Sequence, residues 1–128
     1  MDEVHGGKYL RIALIVVGLV FIFGLYPLFN LWQSGWRWQP LHYEFEYMIM
    51  GVYGTLGVFL LIASRSPKAH KSLIWFTVWS SVVHGAIMGV EAMIDPAERG
   101  HLLGDIPALF IIAIILGILM RRGKRVDA

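Results

Sequence analysis

Four apolar stretches constrain this chain more than any other feature of its sequence. They run over approximately residues 10–32, 44–64, 73–93 and 102–120. About 20 apolar residues in a helix cross the hydrocarbon core of a bilayer, and each stretch has this length. The stretches are apolar throughout rather than alternating, which disfavours transmembrane strands. The sequence therefore predicts an all-α fold, with residues 1–128 forming a single four-helix transmembrane domain.

The composition agrees with a membrane protein and excludes several kinds of site. Hydrophobic residues make up 57% of the 128 residues and charged residues 16%, which is too apolar for an ordinary soluble domain. The chain contains no cysteine, so disulfides, thiolate metal sites, iron–sulfur clusters and c-type haem are excluded. The formal net charge is only +2, and the expected partner is the lipid bilayer rather than nucleic acid.

Basic residues are divided unequally between the two sides of such a bundle. Two connecting loops contain only Arg37 and Arg99, whereas nine basic residues flank the helices on the other side. Because the positive-inside rule places the more basic side in the cytoplasm, both termini are predicted to be cytoplasmic. We expect a multi-pass protein of the bacterial inner (cytoplasmic) membrane. The nine residues are Lys8, Arg11, Arg65, Lys68, Lys71, Arg121, Arg122, Lys124 and Arg125.

Polar side chains are concentrated in the half of the bundle that this topology places outside. In the third stretch, Thr77, Ser81, His84, Met88 and Glu91 recur at steps of three and four residues and share one helix face. Ionisable side chains are costly at membrane depth, so we expect them to turn inward and find partners. The residues predicted to form a shared polar pocket are Asn30, Glu46, Tyr53, His84, Met88, Glu91, His101 and Asp105.

Each of these residues also has a structural interpretation. Asp105 lies in "GDIP" and could cap the fourth helix, whereas Met88 could pack in the core. His84 could hydrogen-bond across helices to a tyrosine or a glutamate as a structural contact. If the pocket is functional, we predict that His84 interacts with a carboxylate, either Glu46 or Glu91.

Metal and haem sites are weaker alternatives. A di-iron carboxylate bundle needs two Glu-x-x-His pairs, and only Glu98 and His101 match that spacing. His84 could ligate a b-type haem, with a methionine or His101 opposite. No metal ligand is therefore predicted, and the sequence does not identify a cofactor.

Glycines in the second and third stretches predict close helix packing. "GVYGTLG" and "GAIMG" place small residues along the helices, and such residues let transmembrane backbones approach closely. The second and third helices are joined by a short loop, so we expect them to form the closest pair. The glycines predicted to pack are Gly51, Gly54, Gly57, Gly85 and Gly89.

Two segments resemble known families. "RIALIVVGLVFIFGLYPLF" resembles the first helix of the DoxX-like group of small four-helix bacterial membrane proteins. The chain from "EYMIMGVYGTLGVFLL" through "SLIWFTVWSSVVHGAIMGVEAM" to "GHLLGDIPALF" resembles a bacterial membrane family known only as a domain of unknown function. The DoxX-like resemblance implies association with quinone-linked redox complexes. Neither resemblance supplies a catalytic residue.

These features lead to two main hypotheses about function. Short loops, glycine-rich faces and a tryptophan-rich outer loop favour an accessory or binding subunit of a larger membrane assembly, respiratory or photosynthetic, or a homo-oligomer. The alternative is a membrane enzyme or binding protein for a lipophilic ligand such as a quinone, with His84 and Glu46 or Glu91 exchanging protons. A haem or metal carrier is a third hypothesis, and the sequence does not decide whether the protein is an enzyme.

Overall fold

The computed structural model describes residues 2–36 and 43–127, with side chains described at 7–36 and 45–122. Over these ranges six α-helices follow one another along the chain. A π-helical segment, Val20–Gly24, joins the first two, and 3₁₀ segments Pro67–His70 and Pro96–Leu103 precede the last two. The α-helices are α1 Asp2–Leu19, α2 Leu25–Leu31, α3 Gln33–Trp36, α4 Tyr43–Arg65, α5 Lys71–Ile94 and α6 Asp105–Asp127.

Four long apolar helical regions confirm the four predicted from the sequence. They are 21 to 28 residues long, with mean hydropathy between 1.6 and 2.7, which is long and apolar enough to cross a membrane. Helix α6, which corresponds to the fourth predicted stretch, begins at Asp105 rather than near residue 102. The preceding turns are 3₁₀-helical, and Gly104 has a non-helical backbone (φ −112°, ψ −107°) that separates the two segments. The four regions are Gly7–Leu31, Phe45–Arg65, Pro67–Ile94 and Pro96–Arg122.

The connection between α4 and α5 is the tight turn that Pro67 predicts. Helix α4 ends at Arg65, and Ser66 has an extended backbone (φ −148°, ψ 75°). A residue before proline avoids the helical region because the proline ring would clash with its backbone. Pro67 then occupies the first turn of a 3₁₀ helix, where its missing N–H leaves no hydrogen bond unmade.

The helices pack in an order that differs from the sequence-based expectation. Helix α1 packs along α4 and α6, and α6 packs along α5, whereas α4 and α5 contact each other little. At the crossing of α1 and α4, a Cβ added to Gly57 would lie 2.6 Å from the Gly18 carbonyl oxygen. On α5, a Cβ added to Gly85 would lie 3.0 Å from the Phe110 ring of α6. These close approaches, rather than the short loop between α4 and α5, determine which helices are neighbours.

Three of the five glycines predicted to pack are not at helix contacts. A Cβ added to Gly51, Gly54 or Gly89 would meet no atom within 4 Å. Within the described chain these three glycines make no close helix contact, because the sides of α4 and α5 that they occupy face open space. Gly57 and Gly85 are the two members of the set that lie at close helix contacts.

Glycines that were not predicted hold α3 against the 3₁₀ segment Pro96–Leu103. A Cβ added to Gly104 would collide with the Gly35 carbonyl oxygen, and one added to Gly100 would collide with the Ser34 carbonyl oxygen. A Cβ added to Gly35 would lie 3.2 Å from the Gly104 Cα atom. The two backbones therefore touch directly, without side chains between them.

The two ends of the bundle differ in polarity. We call the end that contains the start of α4, the end of α5 and the start of α6 the polar end. The opposite end contains the main apolar core, in which Leu14, Leu60, Ile74 and Leu116 are fully buried. Thr77 is also fully buried, and its hydroxyl donates to the Leu73 carbonyl at 3.0 Å, so it needs no partner on another helix.

Candidate functional site

A cavity of about 320 Å³ lies between the four long helical regions, toward the polar end. Its wall is mainly apolar, with Leu25 and Phe29 from α2 and Leu109 and Ile112 from α6. A few polar side chains from α4, α5 and α6 interrupt this wall. Small-molecule sites in proteins have volumes of this order and combine apolar walls with few, well-placed polar groups.

One wall of the cavity is formed by the π-helical segment Val20–Gly24. Val20 and Phe21 line the cavity from this segment. Pro27 follows within one turn and has no N–H to donate to the Phe23 carbonyl, so regular α-helical bonding is interrupted there. π-Helical turns inside α-helices occur frequently at functional sites. The irregular turn widens the helix at the level of the cavity.

Tyr53 and His84 connect α4 and α5 at the cavity. The Tyr53 hydroxyl and His84 Nδ1 form a hydrogen bond, and the two rings are stacked with centroids 5.9 Å apart. Phe21 packs edge-on against the other side of Tyr53, with centroids 4.9 Å apart. The hydrogen-bond partner of His84 is thus a tyrosine, which is one of the two partners that the structural interpretation of His84 predicts. The contact bridges two long helices that otherwise contact each other little.

Four of the residues that line the cavity are exposed, and three of them lie on α4 and α5. Ile49 on α4 is 44% exposed, Ile87 on α5 is 54% exposed and Glu91 on α5 is also exposed, while Val20 of the π-helical segment is 37% exposed. Residues that both line a cavity and remain exposed mark its opening. Met88, one turn from His84, is buried and lines the inner wall. The predicted polar face of α5 therefore extends from Thr77 in the core to Glu91 at the exposed side of the cavity.

A buried group of Glu98, His101 and Asp105 adjoins the cavity. His101 Nε2 lies 3.1 Å from Glu98 Oε2, and His101 Nδ1 lies 2.9 Å from Asp105 Oδ1. The exposed fractions are only 4%, 1% and 6% in chain order. Neutral imidazole has one N–H, so the second contact requires either imidazolium or a protonated carboxyl group. Only Asp105 of the three lines the cavity.

Glu98 was not predicted to belong to the site. The signal was its spacing of three residues before His101, but the glycine between them suggested a loop. In a 3₁₀ helix the side chains at positions i and i+3 lie above one another, which brings Glu98 and His101 together. The sequence motif therefore forms a compact carboxylate–imidazole pair rather than an open loop.

Trp36 was also not predicted, because it stands in a tryptophan-rich segment, and tryptophan rings in such segments commonly lie at the headgroup level of a membrane. Instead, Trp36 lines the cavity, and its Nε1 atom is buried without a hydrogen-bond partner in the part of the chain that the structure describes. Trp32 packs edge-on against it, with ring centroids 6.5 Å apart. No pattern in the sequence distinguishes Trp36 from its tryptophan neighbours.

The structure brings together five of the eight predicted pocket residues. Asn30 is exposed, and its Nδ2 donates to the Tyr26 carbonyl at 2.7 Å instead of lining the cavity. Glu46 is half-buried and His101 is buried, but neither lines the cavity. The five that line it are Tyr53, His84, Met88, Glu91 and Asp105.

The comparisons with known proteins give a family but no function. Among the described residues, no group of three or more His, Cys, Asp or Glu side chains is arranged to hold a metal ion. No curated protein and no solved structure matches the chain. The DoxX-like resemblance and a bacterial origin therefore stay predictions. The model of a family of unknown function, DUF6632, matches residues 5–126, and the chain belongs to that family.

Proposed function

We propose that this protein is a membrane-spanning binding protein that holds a small lipophilic molecule in the cavity between its helices. The observation that carries the proposal is the cavity itself, because a space of about 320 Å³ with apolar walls is unusual in a close-packed bundle. Tyr53, His84 and Asp105 place polar groups on that apolar wall. This combination suits a molecule with an apolar body and a polar head, and quinones are one such class.

The opening between α4 and α5 supports access from the lipid. In a membrane, the exposed apolar side chains at the opening, Ile49 and Ile87, would face acyl chains. A lipophilic molecule dissolved in the bilayer could then reach the cavity without crossing water. The hydrogen bond between Tyr53 and His84 joins these two helices at the cavity.

Filling the cavity should displace the bound molecule. Ala108 lines the cavity, whereas Ala86 is exposed on α5 and does not line it. Ala108→Phe should lower occupancy by about tenfold. The phenyl ring would occupy space that the molecule needs, and such overpacking weakens the binding free energy by about 1–3 kcal/mol. Ala86→Phe makes the same change in size and should leave occupancy unchanged. Native mass spectrometry of protein purified in mild detergent measures the occupancy.

Two results would count against a binding role. One is a parent protein that carries no small molecule after purification and takes up none from added lipid extract. The other is equal occupancy in Ala108→Phe and Ala86→Phe, which would place the bound molecule outside the cavity.

The proposed orientation has both termini in the cytoplasm. In the sequence, nine basic residues lie before the first long helix, between the second and third or after the fourth, against two in the other two connections, and the positive-inside rule favours this arrangement. The cavity would then lie in the outer half of the membrane. The two sequence resemblances support the bacterial inner membrane as the location.

Reporter fusions test this orientation. Fusions after Gly35 and Arg99 should report the outer side, because both positions lie at the polar end. Fusions at Pro67 and Ala128 should report the cytoplasm. An alkaline phosphatase fusion that is active at Pro67, or inactive at Gly35, would reverse the orientation and place the cavity in the inner half.

An accessory subunit of a larger membrane assembly is a second candidate. Gly51, Gly54 and Gly89 have no atom within 4 Å of an added Cβ, so α4 and α5 present small-residue surfaces outside the packed core. Such surfaces let transmembrane helices of different chains approach closely. Substitution of Gly51 by leucine should then release a partner or dissociate a homo-oligomer, which native mass spectrometry would show as a loss of mass.

A further inference from the structure

Two N–H groups at the cavity have no acceptor in the described chain. The first is Trp36 Nε1, which is buried and has no partner there. A buried donor without an acceptor costs free energy, so such groups usually mark a bound water or ligand. Trp36 is held in place by Trp32 and by the close contact of α3 with the 3₁₀ segment.

The second N–H group belongs to His84. Its Nδ1 atom is hydrogen-bonded to the Tyr53 hydroxyl. We assign the hydroxyl as the donor, because a phenol O–H is a stronger acid than a neutral imidazole N–H. In the neutral ring, an Nδ1 atom that accepts this hydrogen bond leaves the proton on Nε2. No partner of Nε2 occurs among the described residues. With this assignment, the ring of His84, which lines the cavity, carries its N–H on Nε2.

Two carboxylates, Asp105 and Glu91, also line the cavity. Asp105 Oδ1 already contacts His101 Nδ1 at 2.9 Å, and Glu91 lies at the exposed opening. The inner wall around them is apolar or aromatic, with Phe21 and Phe29 among its residues. A ligand that enters past Glu91 therefore meets two N–H donors surrounded by apolar and aromatic side chains.

We infer that the ligand is a lipophilic carbonyl compound whose oxygen accepts hydrogen bonds from Trp36 Nε1–H and His84 Nε2–H. This inference rests on the proposed binding function and names the chemical class of its ligand. A ketone, ester or quinone carbonyl satisfies both donors while its hydrocarbon part occupies the apolar wall. A hydrocarbon of the same shape leaves both donors without an acceptor.

A pair of ligands of the same shape tests the inference. In 2-acetylnaphthalene a carbonyl oxygen occupies the position that a methylene carbon occupies in 2-isopropenylnaphthalene. Both are presented to the parent protein in lipid nanodiscs by equilibrium dialysis, and the amount taken up by empty nanodiscs is subtracted. The ketone should bind about twentyfold more tightly than the alkene, as expected for two hydrogen bonds.

Single substitutions then assign the donors. Trp36→Phe keeps an aromatic ring but removes the N–H, so ketone binding should weaken about fivefold while alkene binding stays the same. Trp79→Phe is the matched control, because Trp79 is 62% exposed on α5 and does not line the cavity. Tyr53→Phe should weaken ketone binding by about the same factor as Trp36→Phe, because it no longer holds the His84 proton on Nε2.

The outcomes separate this inference from the proposed function. Equal affinity of the parent for ketone and alkene would overturn the carbonyl assignment while leaving a lipophilic binding site. Equal weakening of both ligands by Trp36→Phe would mean that the indole contributes only packing and would also overturn it. Binding of neither ligand, together with no effect of Ala108→Phe on occupancy, would overturn the proposed function and the inference with it.

Discussion

Replacing His101 with leucine should destabilise the folded protein by about 3 kcal/mol, because two buried carboxyl groups each lose a hydrogen-bond partner. The imidazole lies between the carboxylates of Glu98 and Asp105 and is 1% exposed. Without it, two acidic groups remain close together at low exposure, and leucine cannot donate to either of them. Unfolding in a detergent titration measures the difference.

His70→Leu is the matched control for this experiment. His70 is half-buried on the 3₁₀ segment Pro67–His70, and its Nδ1 lies 3.1 Å from the Ser66 carbonyl oxygen. It should cost less than about 1 kcal/mol, because the carbonyl can bond to water instead. The double change of His101 and Asp105 to leucine should cost less than the sum of the single changes. Additive costs would show that the two side chains do not interact, contrary to the structure.

Gly104→Ala should destabilise the protein by about 2–3 kcal/mol, in the upper part of the range for overpacking. The added methyl group would collide with the carbonyl oxygen of Gly35, which belongs to the backbone and cannot rotate away. Helix α3 would have to separate from the 3₁₀ segment, and Trp36 would move with it. Thermal unfolding in detergent, followed by circular dichroism, should show a lower melting temperature.

Gly89→Ala provides the comparison, because it makes the same chemical change at a glycine with no atom within 4 Å of an added Cβ. Alanine is favoured over glycine inside a helix, so Gly89→Ala should be neutral or more stable by up to about 1 kcal/mol. If Gly104→Ala and Gly89→Ala have the same melting temperature, then α3 and the 3₁₀ segment do not touch. Ligand occupancy measured on the same samples should fall only in Gly104→Ala, since only that change displaces Trp36.

The sequence by itself determined the number of long helices and much of the polar face of α5. Length and hydropathy are local properties, so four apolar stretches were sufficient to predict four helices. The steps of three and four residues placed Thr77, Ser81 and Met88 on one face, and the structure buries all three. Pro67 ended α4 for an equally local reason, because its ring restricts the residue before it.

Tertiary structure alone decided which helices are neighbours. An apolar helix surface is compatible with lipid and with another helix alike, so hydropathy cannot rank the possible pairs. The deciding contacts join positions far apart in the chain, such as Gly18 with Gly57 and Gly85 with Phe110. Glycines in a GxxxG pattern occur at contacts and at open surfaces, and Gly89 belongs to the second kind.

The same distinction applies to the candidate site. His84 was recognisable from its position in an apolar helix, but its partner Tyr53 lies 31 residues away and is defined only by the approach of α4 to α5. The sequence of Trp36 and its neighbours is typical of rings in the membrane interface. The contact of Gly35 with Gly104 places Trp36 at the cavity instead. A sequence pattern identifies the chemical groups that a helix carries. The direction in which another helix approaches them, which depends on backbone contacts between distant residues, determines whether they meet.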